Sequence, residues 1–309
     1  MYLMAIGSRG LAAAAAAIGV IALTALATPA ATAAPATPAA PAAPAAPAEE
    51  APIRPGVTLD TAGAGTCTSN FVFTNGSDLF IGQAAHCAGT GDATETDGCD
   101  SVTLPLGTEV IIAAADGSKR SGTLAYSSWV TMQDRGETDP AACAYNDFAL
   151  VKIADTDAAD VSPTVPFFGG PTGLRTTGLT LGEQVYTYGN SPLRLGIELL
   201  SPKVGVAAGD EGGGFSHTVY TLSPGVPGDS GSAFLDGDGR AFGVLSTLNL
   251  APLPASNGLT DLAKALAYAN AYGGVGTISL VPGGPFTTSP EGVSPMALAT
   301  PAGPALGDA

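Results

Sequence analysis

From Gly56 onward, the chain consists of short apolar runs that are separated by turn-forming residues. The apolar runs include FVFT, LFIG, TEVIIAAA, DFALVKI, QVYTY, TVYTL and AFGVLSTL. Hairpin turns are indicated by Asn75-Gly76 and Asp236-Gly237, because Asn-Gly and Asp-Gly favour the backbone conformation of tight turns. Many short strands at this spacing predict an all-β barrel or sandwich.

One stretch, NGLTDLAKALAYANAYGG, has the periodicity of a helix instead. Its apolar residues recur every three or four positions, at Leu259, Leu262, Leu266 and Ala269. Thr260 or Asp261 is a suitable N-cap, and Gly273 is a suitable end. We therefore predict a C-terminal helix over residues 259–272 that packs against the β-structure.

The first 33 residues have the pattern of a secretory signal peptide. Arg9 supplies a positive charge, the apolar run Leu11–Leu26 follows, and Ala31-Thr32-Ala33 offers a small-residue cleavage site. An uncleaved membrane anchor is the alternative, but the run is shorter than the ~20 residues of a spanning helix. We expect residues 1–33 to be removed, and the mature protein to be secreted and extracellular, without stable membrane association.

Two segments that flank the β-rich region are poor in large apolar residues. Residues 34–55 form an Ala/Pro-rich repeat, which favours an extended chain because proline lacks a backbone donor. We interpret them as a disordered linker or a short propeptide. Residues 282–309 are again rich in small residues and proline, and predict a disordered tail. The folded domain would then span residues 56–281.

The chain carries 27 acidic and 11 basic residues, which gives a formal net charge of −16. A polyanion is repelled by such a protein, so no nucleic-acid partner is expected. Four cysteines are present, at positions 67, 87, 99 and 143, and none forms a C-x-x-C pair. A zinc site is therefore poorly supported. In a secreted chain, an even number of cysteines suggests two disulfides, for which three connectivities are possible.

Three stretches, IGQAAHC, NDFALVKI and PGDSGSAF, carry His86, Asp147 and Ser230 in that order. Together they resemble the histidine, aspartate and serine signatures of the trypsin/chymotrypsin-like serine peptidases, which share this order. The resemblance covers about residues 57–275. It implies two six-stranded β-barrels, over about residues 57–168 and 178–257, with the C-terminal helix behind them and the active site in the cleft between.

The chemistry of these three residue types agrees with that resemblance. A serine hydroxyl is a weak nucleophile at neutral pH, so Ser230 needs an adjacent base. His86 can accept its proton, because the pKa of histidine lies near working pH. A buried Asp147 would hold the imidazole in the required tautomer and stabilise its positive charge. The resemblance also implies that the backbone amides of Gly228 and Ser230 form the oxyanion hole.

The resemblance further implies a Cys67–Cys87 disulfide that fixes the histidine loop, and with it a Cys99–Cys143 disulfide just before Asp147. In the trypsin-like branch, the residue that matches Asp229 pairs with a freshly cut N-terminus, but no clear activation sequence is present here. A buried Asp229 needs a partner, since an unpaired internal charge is costly. The sequence leaves three candidates open, namely Arg135, Arg175 and Arg194.

The substrate pocket departs most from the familiar pattern. By the resemblance, its base lies at Pro224 and Gly225, where no acid is present, so a preference for lysine or arginine is not supported. Its wall begins at Ser246 and has Leu248 where glycine is usual. The leucine would narrow the pocket, and we expect a small or apolar residue before the scissile bond.

The sequence therefore predicts a secreted, monomeric serine endopeptidase that acts on proteins or peptides through an acyl-enzyme, without cofactor or metal. One alternative is an esterase or amidase, but residues 228–232 read GDSGS and lack the G-x-S-x-G elbow and the order Ser…Asp…His. The other is a catalytically silent, peptidase-like binding protein. Leu248 and the missing activation sequence favour it, and the intact triad opposes it.

Overall fold

The computed structural model describes residues 51–92, 96–250 and 253–289. The predictions for the signal peptide, for residues 34–50 and for residues 290–309 lie outside the described residues. Within the described ranges, no helix is both long enough and apolar enough to span a membrane.

Fourteen strands are found in the described ranges. They are β1 (Thr58–Thr61), β2 (Thr66–Thr68), β3 (Val72–Thr74), β4 (Leu79–Gln83), β5 (Glu109–Ala113), β6 (Lys119–Ser127), β7 (Ala149–Ile153), β8 (Gln184–Tyr188), β9 (Pro202–Glu211), β10 (Ser216–Thr221), β11 (Ala233–Asp236), β12 (Ala241–Leu248), β13 (Asn257–Asp261) and β14 (Ser279–Leu280). The α-helices of the same ranges are α1 (Ser128–Arg135), α2 (Pro140–Tyr145) and α3 (Leu262–Tyr272).

The strands form two antiparallel sheets. The second half of the chain makes a closed six-stranded barrel in the order β10-β13-β12-β11-β8-β9. Seven strands of the first half and the C-terminal β14 make an eight-stranded sheet in the order β14-β3-β4-β7-β6-β5-β1-β2. The predicted all-β class with a C-terminal helix is confirmed. The first sheet has eight strands instead of six, because the β1–β2 hairpin extends one end and β14 adds to β3 at the other.

Alternating side chains of the strands fill three apolar clusters, as expected for sheets with one buried face. One cluster lies inside the barrel and includes Val185, Val219, Phe234, Phe242, Leu245 and Leu259. A second belongs to the first sheet and includes Leu59, Ile81, Val110, Ile112 and Val151. The third joins both halves to α3, through residues such as Phe73, Phe148, Phe168, Tyr186, Leu235 and Leu266. The walls of the cleft are thus fixed by a shared core.

The helix α3 begins at Leu262, three residues later than predicted. Leu259 belongs to β13, which closes the barrel between β10 and β12, and its side chain is fully buried there. The three-residue spacing of Leu259 and Leu262 therefore spans a strand-to-helix junction. Asp261 is the N-cap, since its side chain accepts a hydrogen bond of 2.7 Å from Lys264 N. The barrel accordingly extends to residue 261 and not to 257.

The predicted disordered tail is wrong for its first residues. Gly170 N donates to Gly284 O at 3.0 Å, and Thr287 N donates to Phe168 O at 2.8 Å. The ring of Phe286 contacts that of Tyr186 with centroids 5.4 Å apart. The folded part continues past residue 281 because these backbone groups and one aromatic ring find partners on the core.

The predicted disorder of residues 34–55 is likewise wrong at its C-terminal end. The side chains of Ala51 and Ile53 are buried. Ile53 N donates to Asp160 O at 3.0 Å, and Ser162 N donates to Ile53 O at 2.9 Å. Ile53, at the end of the Ala/Pro repeat, belongs to the apolar cluster of the first sheet, so the chain is docked there by burial as well as by hydrogen bonds.

Candidate active site

His86 lies in a short 3-10 turn, Ala85–Ala88, that directly follows β4. The turn is fixed to β2 by a disulfide between Cys67 and Cys87. The second disulfide joins Cys99 to Cys143. Because all four cysteines are in disulfides, neither pair offers a thiolate to a metal.

Asp147 follows α2 and is almost completely buried. Its Oδ2 atom lies 2.6 Å from His86 Nδ1, and its Oδ1 atom accepts a hydrogen bond of 2.8 Å from His86 N. Ser246 Oγ donates to the same Oδ2 atom at 2.6 Å. The carboxylate is thus held in one orientation by both the histidine turn and the barrel.

These contacts shift the pKa values of the pair in opposite directions. Burial alone would lower the pKa of His86, but the charge and hydrogen bond of Asp147 outweigh burial and raise it above the ordinary value of 6.5. Burial alone would raise the pKa of Asp147, but His86, Ser246 and the His86 amide lower it below 3.8. Asp147 therefore stays ionised when the imidazole gains a proton.

Ser230 lies in the turn that precedes β11, between two glycines with left-handed backbone conformation. Gly228 has φ +94° and Gly231 has φ +86°. Residues other than glycine rarely adopt φ values in this range. A Cβ at residue 231 would also lie 2.5 Å from the Thr68 carbonyl oxygen. The turn is anchored to the first sheet, because Thr68 N donates to Ser230 O at 2.9 Å.

His86, Asp147 and Ser230 all line one cleft of about 760 Å³. The structure thus brings the three residues together, although they come from both halves of the chain. In the described residues no hydrogen bond connects Ser230 Oγ with the His86 ring. In ligand-free enzymes such bonds are often long and tighten when substrate binds.

The amides predicted for the oxyanion hole are available to a ligand. Within the described residues, neither Gly228 N nor Ser230 N donates a hydrogen bond to the protein. The neighbouring amides are occupied, since Asp229 N donates to Val226 O at 2.8 Å and Gly231 N donates to Leu245 O at 2.7 Å. Two free donors therefore remain in the nucleophile turn.

Asp229 is fully buried and is neutralised from within the chain. Its carboxylate is paired with the Arg194 guanidinium and accepts 2.7 Å and 3.0 Å hydrogen bonds from Lys203 Nζ and Ser191 N. Lys203 and Arg194 outweigh burial and lower the pKa of Asp229. Burial in turn lowers the pKa of Lys203 to about 8.

Of the three arginines considered for Asp229, only Arg194 is its partner. Arg175 pairs with Glu183 and Asp236, and Arg135 lies against the rings of Tyr268 and Tyr272. Sequence reasoning missed Lys203. The available signal was a lone lysine within the apolar run PKVGVAAG, where a charged residue on a buried strand needs a partner.

The substrate pocket agrees only in part with the expected residues. Gly225, Ser246 and Leu248 line the cleft. Pro224 does not line it, and its carbonyl instead faces Arg194 Nη2 at 3.5 Å, because the chain is drawn toward the Asp229 ion pair. The hydroxyl of Ser246 is engaged by Asp147.

Asn257 is a pocket residue that the sequence did not reveal. Its buried side chain accepts a hydrogen bond of 2.7 Å from Gly225 N and donates to Gly225 O and Thr247 O at 3.2 and 3.1 Å. It therefore bridges two walls of the cleft with a neutral group. Asn257-Gly258 has the sequence of a turn, so only the pairing of β12 with β13 shows this role.

His217 lies away from the cleft, in β10. Its two ring nitrogens are 2.7 Å from Asp210 Oδ1 and 2.9 Å from Asp261 Oδ2. It is fully buried. This histidine joins three strands of the barrel, β9, β10 and β13.

No family model and no curated protein matches this chain. Several solved structures are similar to it. Thermobifida fusca Protease A is 21% identical, with 75% of this chain and 99% of that chain covered and a TM-score of 0.46. A glutamic acid specific serine protease is 17% identical, with 74% and 100% covered and a TM-score of 0.45. Cellulomonas bogoriensis chymotrypsin is 16% identical, with 74% and 98% covered and a TM-score of 0.42.

The serine protease and the chymotrypsin among these structures are of the same kind as the peptidases that the sequence resembles.

Proposed function

We propose that this protein is a secreted serine endopeptidase that cleaves protein or peptide substrates through Ser230, His86 and Asp147. The observation that carries the proposal is the 2.6 Å contact between Asp147 Oδ2 and His86 Nδ1, beside a serine that lines the same cleft. With Nδ1 held by the carboxylate, the other ring nitrogen of His86 is left to accept a proton from Ser230.

In the first half of the reaction, Ser230 Oγ attacks the carbonyl carbon of the scissile peptide bond while His86 takes the hydroxyl proton. The ionised Asp147 stabilises the resulting imidazolium. The negative charge that develops on the carbonyl oxygen is accepted by the amides of Gly228 and Ser230, which have no other acceptor within the described residues.

In the second half, His86 returns the proton to the leaving amine, and the acyl group stays on Ser230. A water molecule then gives a proton to His86 and attacks the acyl carbonyl. The bond to Ser230 Oγ breaks, His86 passes the proton to that oxygen, and the second product leaves as a carboxylic acid. Every proton transfer uses the same imidazole, so each step depends on the Asp147 contact.

For the residue before the scissile bond, we propose a small or apolar side chain. Asn257 spans the walls of the cleft at Gly225 and Thr247 and uses its amide on backbone groups. A Cβ at Gly225 would come within 2.6 Å of Leu245, so this part of the wall is closely packed. Among the described residues that line the cleft, the acidic ones are Asp92 and Asp147, and Asp147 is engaged by His86 and Ser246.

An extracellular location is part of the same proposal. Two disulfides are typical of proteins that fold in an oxidising environment, which supports an extracellular location. The net charge of −16 disfavours nucleic acid as a partner. We propose a monomer without stable membrane association.

A catalytically silent binding protein is the weaker alternative. Its main support was the missing activation sequence, since an unpaired Asp229 would leave the oxyanion turn unformed. Arg194 and Lys203 neutralise that carboxylate inside the chain, so the turn has its ion pair without a newly cut N-terminus. This favours an active enzyme.

The proposal is tested by labelling the secreted protein and its Ser230→Ala variant with a fluorophosphonate probe. We expect rapid labelling of the wild type alone. Equal labelling of the two proteins would refute the enzyme. Digestion of a peptide library beside hydrolysis of short-chain esters then separates an endopeptidase from an esterase, because only the former cleaves internal peptide bonds.

A further inference from the structure

We infer that Thr68 and Ser191 are positioning residues, whose hydroxyl groups keep the Gly228 amide pointed into the cleft. This inference rests on the proposed function, because it concerns the oxyanion hole of the same site. The two side chains belong to different halves of the chain, and both are buried. Each hydrogen-bonds to a carbonyl of the segment 226–229, which we call the oxyanion segment.

Ser191 controls the peptide unit that contains the Gly228 amide. Its Oγ atom donates to Pro227 O at 2.6 Å and accepts a hydrogen bond of 3.1 Å from Leu193 N. Because Leu193 uses the acceptor side of the hydroxyl, the proton is directed to Pro227. In a trans peptide the carbonyl and the amide point in opposite directions. Holding Pro227 O on one side therefore holds Gly228 N on the other.

Thr68 controls the next peptide unit in the same manner. Its Oγ1 atom donates to Gly228 O at 2.7 Å and accepts a hydrogen bond of 3.0 Å from Asn190 N. The amide of that unit, Asp229 N, is then left to donate to Val226 O. Two successive carbonyls of the oxyanion segment are thus fixed by hydroxyls whose acceptor sides are filled by one stretch, residues 190–193.

The oxyanion segment needs such restraint because of Gly228. Its φ of +94° is accessible to glycine, but glycine also adopts many other backbone conformations at little cost. Rotation of the Pro227–Gly228 peptide would turn a carbonyl toward the cleft in place of the amide. That rotation would break the Ser191 bond and leave the buried Ser191 hydroxyl proton without an acceptor, which opposes it.

Restraint of this kind acts on the transition state more than on bound substrate. The full negative charge on the substrate oxygen exists only after attack by Ser230, so an amide that is correctly oriented in advance lowers the barrier. Loss of the restraint should therefore lower kcat, and should change KM little. A purely structural hydroxyl would instead lower thermal stability without this kinetic signature.

The experiment compares the full secreted chain with Thr68→Val, Thr68→Ser and Ser191→Ala. Thr68→Val keeps the side-chain shape and removes the hydroxyl, whereas Thr68→Ser keeps the hydroxyl. Thr108→Val is the matched control, because Thr108 also donates to a backbone carbonyl, Pro105 O at 2.7 Å, but outside the cleft. The readouts are kcat and KM on a peptide anilide with alanine before the scissile bond, affinity for the corresponding peptide aldehyde, and the melting temperature.

We expect Thr68→Val and Ser191→Ala to lower kcat by roughly 10- to 100-fold, which is less than the 10²–10³ typical for deleting an oxyanion donor outright. The aldehyde, which binds as a charged tetrahedral adduct, should lose affinity by a similar factor, while KM changes less than about twofold. Thr68→Ser and Thr108→Val should keep kcat within about threefold of wild type, because neither substitution disturbs a donor that stabilises the developing charge.

Equal losses in Thr68→Val and Thr68→Ser would overturn the inference, since the methyl group and not the hydroxyl would then matter. An unchanged kcat in a folded Ser191→Ala variant would also overturn the inference. If Thr68→Val does not fold, Ser191→Ala alone tests it. These outcomes are distinct from failure of the proposed function, in which the wild type itself is not labelled by the fluorophosphonate.

Discussion

Ser246 Oγ and Asp147 Oδ2 lie 2.6 Å apart, although Ser246 lies in the barrel strand β12 and Asp147 precedes the first-sheet strand β7. Since Oδ2 also faces His86 Nδ1, a single oxygen atom receives one contact from each half of the chain. The orientation of the His86 imidazole therefore depends on how the two halves pack, and not only on the local turn that carries it.

Replacing Asp147 by asparagine should reverse the pKa shift of His86. In the wild type the carboxylate raises that pKa above 6.5, so kcat/KM should fall at acidic pH with a midpoint above 6.5, because the protonated imidazole cannot act as a base. In Asp147→Asn, burial acts alone and the midpoint should move below 6.5, while kcat falls by about 10⁴. Asp155→Asn, at an exposed site, should leave the profile unchanged. A midpoint that stays in place would contradict this account.

The two cations beside Asp229 should not contribute equally to stability. Lys203→Met leaves the carboxylate paired with Arg194 and should change the free energy of unfolding by less than about 1 kcal/mol, because it removes a second positive charge from a buried site. Arg194→Met removes a guanidinium that also donates to Pro224 O and leaves the buried carboxylate with Lys203 alone, so it should cost about 3 kcal/mol or more. Urea unfolding measures both. Equal costs would show that the arginine is not the main partner.

His217 should stabilise the barrel most at low pH. Burial lowers the pKa of His217, but hydrogen bonds and charges of Asp261 and Asp210 outweigh burial and raise it above 6.5. The unfolded chain therefore releases this proton first as pH rises. The stabilising contribution is complete below pH 6.5 and is lost as pH rises through the folded-state pKa.

The test compares urea unfolding of His217→Gln and the parent at about pH 6 and about pH 9, both in a Ser230→Ala background that prevents self-digestion. The difference in the free energy of unfolding should be larger at the lower pH. The same difference at both values would mean that His217 is not held as a cation.

Removal of the two disulfides should affect stability and activity in opposite orders. The Cys99–Cys143 bond closes 44 residues and the Cys67–Cys87 bond closes 20, so their removal by paired Cys→Ser substitution should cost about 4 and about 3 kcal/mol. Activity should follow the reverse order, because Cys87 adjoins His86. Melting curves and kcat/KM, the latter measured well below both melting temperatures, give the two rankings. Matching rankings would argue against a positioning role for Cys67–Cys87.

Leu248→Gly should widen the range of accepted substrates. Removing this cleft-lining side chain should raise kcat/KM for phenylalanine, relative to alanine, before the scissile bond by about tenfold or more. Leu222→Gly, which removes an exposed leucine that does not line the cleft, is the control. A peptide library scores both variants. Identical profiles for wild type and Leu248→Gly would mean that another residue limits the pocket.

The parts of the molecule that could be predicted from sequence are those encoded locally. His86, Asp147 and Ser230 each lie in a short motif, and apolar runs of a few residues mark the strands β3, β4, β5, β7, β8, β10 and β12. Lys203 and Asn257 could not be assigned, because their roles arise when side chains from strands far apart in sequence meet. The start of α3 was misplaced since Leu259 satisfies a helical spacing while it fills the barrel.

The chain that follows α3 touches both halves of the molecule. Ser279 and Leu280 pair with β3 of the first sheet, and Phe286 packs on Tyr186 and Gly239 of the barrel side. None of these residues lines the cleft. A protein that is truncated after α3 would keep the cleft-lining residues but lose the contacts of Leu280 and Phe286 with the two halves of the molecule. We therefore expect truncation after α3 to weaken the packing between the two halves without removing any residue that lines the cleft.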